Sequence, residues 1–167
     1  GGVGGPVLGV LDSQQAFRHT RFWRAEFMQF LGRGGTLVLF APPFAQLGLH
    51  TVQDIVGYDA LEALPDHPAL GHAVCEASPV ECRAGQPFDG FFDAFGQHFR
   101  AGAQFHPRLA QPIANIAGSD RVCGLYQYRH PGRILVLPAL AEATPEGTIA
   151  QIVRALWDMS APLPFDT

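Results

Sequence analysis

The chain has 167 residues, 47% of them hydrophobic and 16% charged, with a formal net charge of -4. That is enough for one ordinary domain with a real core, but the charge is low for a free-standing domain, so part of the surface is expected to face other domains or subunits of a larger assembly. The acidic balance gives no electrostatic reason to expect nucleic acid, and no apolar run approaches the roughly 18–20 residues that cross a bilayer, so no membrane contact is expected from this segment.

All 11 basic residues are arginine. Schiff-base chemistry, a P-loop lysine and a catalytic lysine are therefore excluded within this chain. Three cysteines, Cys75, Cys82 and Cys123, are odd in number and too widely spaced for a disulfide framework, and the spacing of the first two is not that of a zinc knuckle. They are expected to be reduced, cytoplasmic thiols packed as small hydrophobes. No secretory signal is visible.

In chain order, "GGVGGP" (1–6) is too glycine-rich for regular structure and reads as a linker or disordered start. A single α/β domain is expected over 7–159. It opens with "VLGVLDS", Val7 to Ser13, a short apolar run that predicts a buried strand. In "QQAFRHTRFWRAEFMQFLGRGG", Trp23, Phe27, Phe30 and Leu31 form one apolar stripe at helical spacing, with Gly32 as the expected C-cap glycine. "TLVLFA" has no polar alternation, which predicts a central strand of a parallel sheet covered on both faces. Strand, crossover helix, glycine turn and second strand make a βαβ unit, which Pro42-Pro43 closes.

"TVQDIVGYDALEAL" predicts one or two short helices with Thr51 as an N-cap. "PDHPALG" predicts a loop, and "AVCEASPVEC" one or two strands of lesser burial. "FDGFFDAFGQHF" predicts an irregular, partly buried loop or a short helix. Its phenylalanines, Phe88, Phe91, Phe92, Phe95 and Phe99, are expected to be core; the alternative is an exposed patch rimmed by Arg100 and Arg108. "PIANIAG" and "RVCGLYQYRHPGRILVLPAL" predict three strands, the last two forming an antiparallel hairpin near the C-terminus that turns at 129–132. A final helix is expected over 145–159, with Thr144 as cap and Pro145 in the first helical position. Its stripe of Ile149, Ile152, Val153, Leu156 and Trp157 should pack on the sheet. Residues 160–167 form a tail.

The order "VLGVLDS…EFMQFLGRGGTLVLFAPP", "DHPALG" and "YQYRHPGRILVLPALAEATPEGTIAQIVRALW" resembles the class I glutamine amidotransferase-like superfamily in its divergent, non-amidotransferase branches, ThuA-like domains among them. The resemblance covers roughly 6–159. It implies a three-layer, flavodoxin-like α/β fold, with a mostly parallel sheet and helices on both faces. The family usually carries a strand and helix ahead of the segment matching Val7–Ser13, where this chain has only "GGVGGP". The amidotransferase signature, a cysteine in a strained G-x-C-x-G turn, is missing: Cys75 lies in "GHAVCEASP" and Cys123 inside a predicted strand.

Ligands of open α/β sheets bind beyond the carboxyl ends of the strands. Asp12 and Ser13 sit there after the first strand, and Pro42 and Phe44 after the second; helix capping is the competing role for Asp12 and Ser13. His50 and His67 join them as ligand-binding candidates. Of seven histidines, only His67 and His72 are close in sequence, with Asp66 beside them, too small a set for a metal. No metal and no cofactor is expected. Two functions stay open. One is a non-catalytic binding, sensing or assembly module of a larger bacterial protein, with a small-molecule ligand. The other is a hydrolase or carbohydrate-processing enzyme of the ThuA-like kind, with a His/Asp site at the strand ends.

Overall fold

The computed structural model describes residues 8–11, 28–41, 69–74, 77–129 and 131–159, with backbone alone for 8–11 and 69–73. The strands are β1 (Leu8–Leu11), β2 (Thr36–Phe40), β3 (Ala69–Ala73), β4 (Val80–Cys82), β5 (Phe99–Arg100), β6 (Ala103–Pro107), β7 (Gln111–Ile116), β8 (Val122–Tyr128), β9 (Arg133–Leu137) and β10 (Ala139–Leu140). Helix α1 is described over 28–32; α2 spans Phe88–Phe95 and α3 Glu146–Asp158.

The sheet is mixed, not mostly parallel as expected. Among the described strands, only β1, β2 and β9 run parallel, with Val38 between Val10 and Leu135 in register. Every other pairing is antiparallel. The reason lies in the connections. Parallel neighbours need a long crossover, whereas β7, β8 and β9 follow one another through short turns that permit only antiparallel pairing. The C-terminal hairpin is as expected, closed by the Arg129 N–H donating to Gly132 O at 2.8 Å.

β8 is where the sheet divides. Val122 pairs with Asn115 of β7 on one side and with Phe105 of β6 on the other. Further along, Leu125 to Tyr128 pair with β9. β6 therefore takes over the edge of β8 that β9 leaves at Pro138, which has no N–H with which to continue the ladder. One leaf runs β9–β2–β1, the other β6–β3, and both hang from β8. Gly124 passes Pro138 at the division. A Cβ there would stand 3.2 Å from Ala114 Cβ and Val136 O and 3.4 Å from Pro138 Cδ.

Both faces of the sheet are covered. On β2 and β9, Leu37, Leu39, Ile134 and Val136 enter one buried cluster, with Leu31 of α1. Val38, Leu135 and Leu137 enter the other, with Phe88, Phe91 and Phe92 of α2 and Ile152 and Leu156 of α3. Leu37, Leu39, Leu135 and Leu137 are all buried, as unbroken apolar strands require. The phenylalanine segment is helical and core: only Phe95 of its rings is half-buried. Phe91 meets Phe92 edge-on at 5.3 Å and Phe99 at 5.9 Å.

Four local expectations are corrected. Gly32 is still helical; the left-handed residue is Gly34, at φ 85°. The Gly34 N–H donates to Leu31 O at 2.9 Å and the Gly35 N–H to Phe30 O at 3.1 Å, a Schellman ending. Thr144 does not cap α3. Pro145 holds the N-cap place in extended conformation, which moves the threonine one residue too far back, and its Oγ1 is buried without a hydrogen-bond partner. Residues 69–71 of the expected loop are strand, because antiparallel pairing with β6 extends them. β5 and β6 were not expected at all, and Ala139–Leu140, expected as the end of the last strand, is a separate strand, β10, paired with β5.

The stripe on α3 is also narrower than its spacing implied. Ile152 and Leu156 are buried, but Val153 is 38% and Trp157 46% exposed. Truncating Ile152 to alanine should therefore cost about 2–5 kcal/mol. Trp157→Ala should cost clearly less, as read by urea melts of the two variants. Equal costs would mean that Trp157 is core in solution.

Gly132, at φ 85°, presses on α1: a Cβ there would run into the backbone carbonyl of Leu31. Gly132→Ala should lower stability by more than the ~1 kcal/mol that a left-handed alanine alone costs. Gly118→Ala is the control, since Gly118 shares the positive φ, at 74°, but has open space around it. Denaturant midpoints of both variants check the difference.

Candidate functional site

The carboxyl ends of β1, β2 and β9 share one edge, the place where open α/β sheets bind ligands. That edge faces the division of the sheet. The described groups there come from the ends of β2 and β9 and from the small β5–β10 pair, in which Ala139 stands opposite Arg100 and Leu140 opposite Phe99. The pair is tied in by the Ala141 N–H donating to His98 O and the Ala101 N–H donating to Ser78 O, both at 2.8 Å. Phe40, the last residue of β2, lies parallel to Phe99 with ring centres 6.4 Å apart. This contact fixes β5 against the strand end.

Arg100 is half-buried and leaves β5 on the side opposite Phe99. Its Nη1 donates to Gln97 O at 2.8 Å and to Phe99 O at 2.6 Å. The guanidinium is thus held by one carbonyl of the 3-10 turn Gly96–His98 and by that of Phe99, the residue after it. No carboxylate bonds to it among the described residues. His98 is half-buried beside it.

The six candidates from the sequence, Asp12, Ser13, Pro42, Phe44, His50 and His67, all lie outside the described residues. The same is true of Cys75. Leu11 and Ala41, the last described residues before Asp12 and Pro42, stand at the shared edge, where the Ala41 N–H donates to Leu137 O at 2.9 Å. Arg100 entered the sequence argument only as the rim of a surface patch. Its place at the strand ends depends on two-residue strands, which leave no periodicity to detect.

The described thiols are poor nucleophiles. Cys123, near the start of β8, is fully buried, and burial pushes its pKa up to about 12. Cys82 is pushed up to about 11, first by burial and then by the neighbouring Asp89 carboxylate; its Sγ donates to Ala84 O at 3.1 Å. Both fall on the unreactive side of cysteine chemistry. Among the described residues, no three His, Cys, Asp or Glu side chains are grouped to hold a metal. None of the described helices is long and apolar enough to cross a membrane.

A thiol with a raised folded pKa contributes stability that is present below its unfolded pKa and lost as pH rises toward the folded value. For Cys123 that window opens near 9 and closes at about 12. The stability of the wild-type chain should fall across it more steeply than that of Cys123→Ala. Parallel slopes in chemical melts at stepped pH would show that the thiol ionises freely in the fold.

No protein-family model matches the chain, and no curated protein matches it.

Proposed function

We propose that the chain is a glutamine amidotransferase-like module that binds rather than converts its ligand, as a sensing or assembly domain of a larger bacterial protein. The observation that carries this reading is the state of Cys123. It lies on the strand that passes the shared carboxyl edge, next to Gly124 and its Pro138 neighbour. A catalytic cysteine needs an exposed, low-pKa thiolate beside helix N–H groups; Cys123 is sealed near the start of β8 and its thiol is pushed up by burial. The parallel strand ends and the bordering β5–β10 pair supply a place for a ligand without supplying that nucleophile. The three-layer, flavodoxin-like arrangement belongs to the same proposal, supported by buried clusters on both sheet faces.

The test is turnover. The purified chain, given glutamine, simple esters and aryl glycosides, should hydrolyse none above buffer. The competing ThuA-like enzyme wins if hydrolysis appears and is abolished in a folded Asp12→Asn or His67→Asn variant.

A further inference from the structure

We infer that Arg100 is the anchor for an oxyanion, the carboxylate or phosphate group of a small-molecule ligand, held at the divided edge of the sheet. The inference rests on the proposed binding role of that edge and names the chemistry it selects.

A guanidinium has five N–H donors in a fixed fork. In Arg100 the two carbonyls occupy Nη1. Nε–H and the two Nη2 protons remain, with no acceptor among the described residues. Nε and Nη2 together form the side-on face of the fork. That face matches two oxygens of a carboxylate or phosphate through parallel N–H···O bonds. The carbonyl bonds fix the plane of the fork in advance, so little rotamer freedom is lost on binding. The half-buried setting makes each charge-assisted bond stronger than it would be in open water.

Place argues the same way. Arg100 stands opposite Ala139, two residues beyond the end of β9, and its neighbour Phe99 is clamped on Phe40 at the end of β2. The residue opposite is an alanine, whose side chain is too short to reach the fork. The only other role on view is structural: Nη1 closes the carbonyl end of the 3-10 turn. Lysine separates the two roles. Its ammonium has three donors and can still meet two carbonyls, but it has no planar side-on face.

The experiment uses the intact chain, with malonate and inorganic phosphate as separate probes and sodium chloride as the ionic-strength reference. The Arg100 Nε–H resonance, assigned by its loss in Arg100→Lys, is followed with the backbone amides of Ala101, Ala139 and Ala141. A saturable shift of that resonance with malonate, phosphate or both, but not with chloride, is expected; the stronger arm names the oxyanion. Arg100→Lys should keep the folded amide spectrum and lose at least ~tenfold in affinity. Arg154→Lys, whose side chain is 80% exposed, should lose none.

Should Arg100→Lys fail to fold, through-bond correlation from the Arg100 backbone amide assigns the Nε–H resonance, and the wild-type titration still decides. A shift that tracks chloride, or lysine binding as tightly as arginine, overturns the inference. Saturable shifts at Ala139 and Ala141 from a neutral fragment set, with the Arg100 resonance unmoved, overturn it while leaving the binding edge standing. Silence at every one of these positions, for both probes and the fragments, overturns the edge as well.

Discussion

The contact between Gly132 and the carbonyl of Leu31 sets the register of everything around it. The turn that ends α1 and the turn that joins β8 to β9 come from chain segments about 100 residues apart, and they meet backbone to backbone. From that point the Arg133 N–H donates to Gly35 O at 3.0 Å, and the β2–β9 ladder runs on in step to Phe40 and Leu137. A slip of one residue would exchange the two faces. It would send Leu37 and Leu39 into the aromatic layer and Val38 toward Leu31. A side chain at Gly132 would hold the turns apart before the first of those bonds could form. Gly35 is constrained in the same way, since a Cβ there would stand 2.5 Å from the Phe30 ring.

The second organising element is the aromatic layer on the opposite face from Leu31. Phe88, Phe91, Phe92 and Phe99 are joined there by Tyr126, whose ring centre is 5.9 Å from that of Phe88. These rings come from α2, β5 and β8, so one packed group ties the helix, the sheet and the small β5–β10 pair together. Large aromatic groups tilted against one another add specific geometry to their burial. The position of Arg100 follows from this: its backbone is fixed because its neighbour Phe99 is locked in the core.

How much of this was legible in the sequence depended on the range of the interaction involved. "TLVLFA" and "RILVLP" announced themselves because a strand buried on both faces has no polar residue to spare. The hairpin at 129–132 carried its own turn chemistry in Pro131 and Gly132. Sheet direction was not visible in this way. The apolar pattern of β8, Val122 to Tyr128, is the same whether its neighbours run with it or against it; the short turns on either side decide. β5 and β10 have two residues each and borrow their extension from each other. The exposure of Trp157 was hidden for a related reason. A five-residue stripe at helical spacing says which residues share a face, but not how wide a strip of that face the sheet can cover. The polar candidates at the strand ends were placed by a general rule about open sheets, and the described residues neither gather nor scatter them. Arg100 reached the same edge by a route that no local pattern records.

The division of the sheet at β8 also governs how the fold comes apart. β9–β2–β1 and β6–β3 share no ladder with each other; besides β8, what joins them is the buried cluster in which Ala103 and Phe105 of β6 meet Leu37, Leu39, Ile134 and Val136. The single registered pair between Phe105 and Val122 is a narrow hinge compared with the four pairs that join β8 to β9. Amides of β3 and β6 are therefore expected to exchange with solvent sooner than the amides of β8 that face β9, through an opening that costs one registered pair and the withdrawal of Ala103 and Phe105 from the shared cluster.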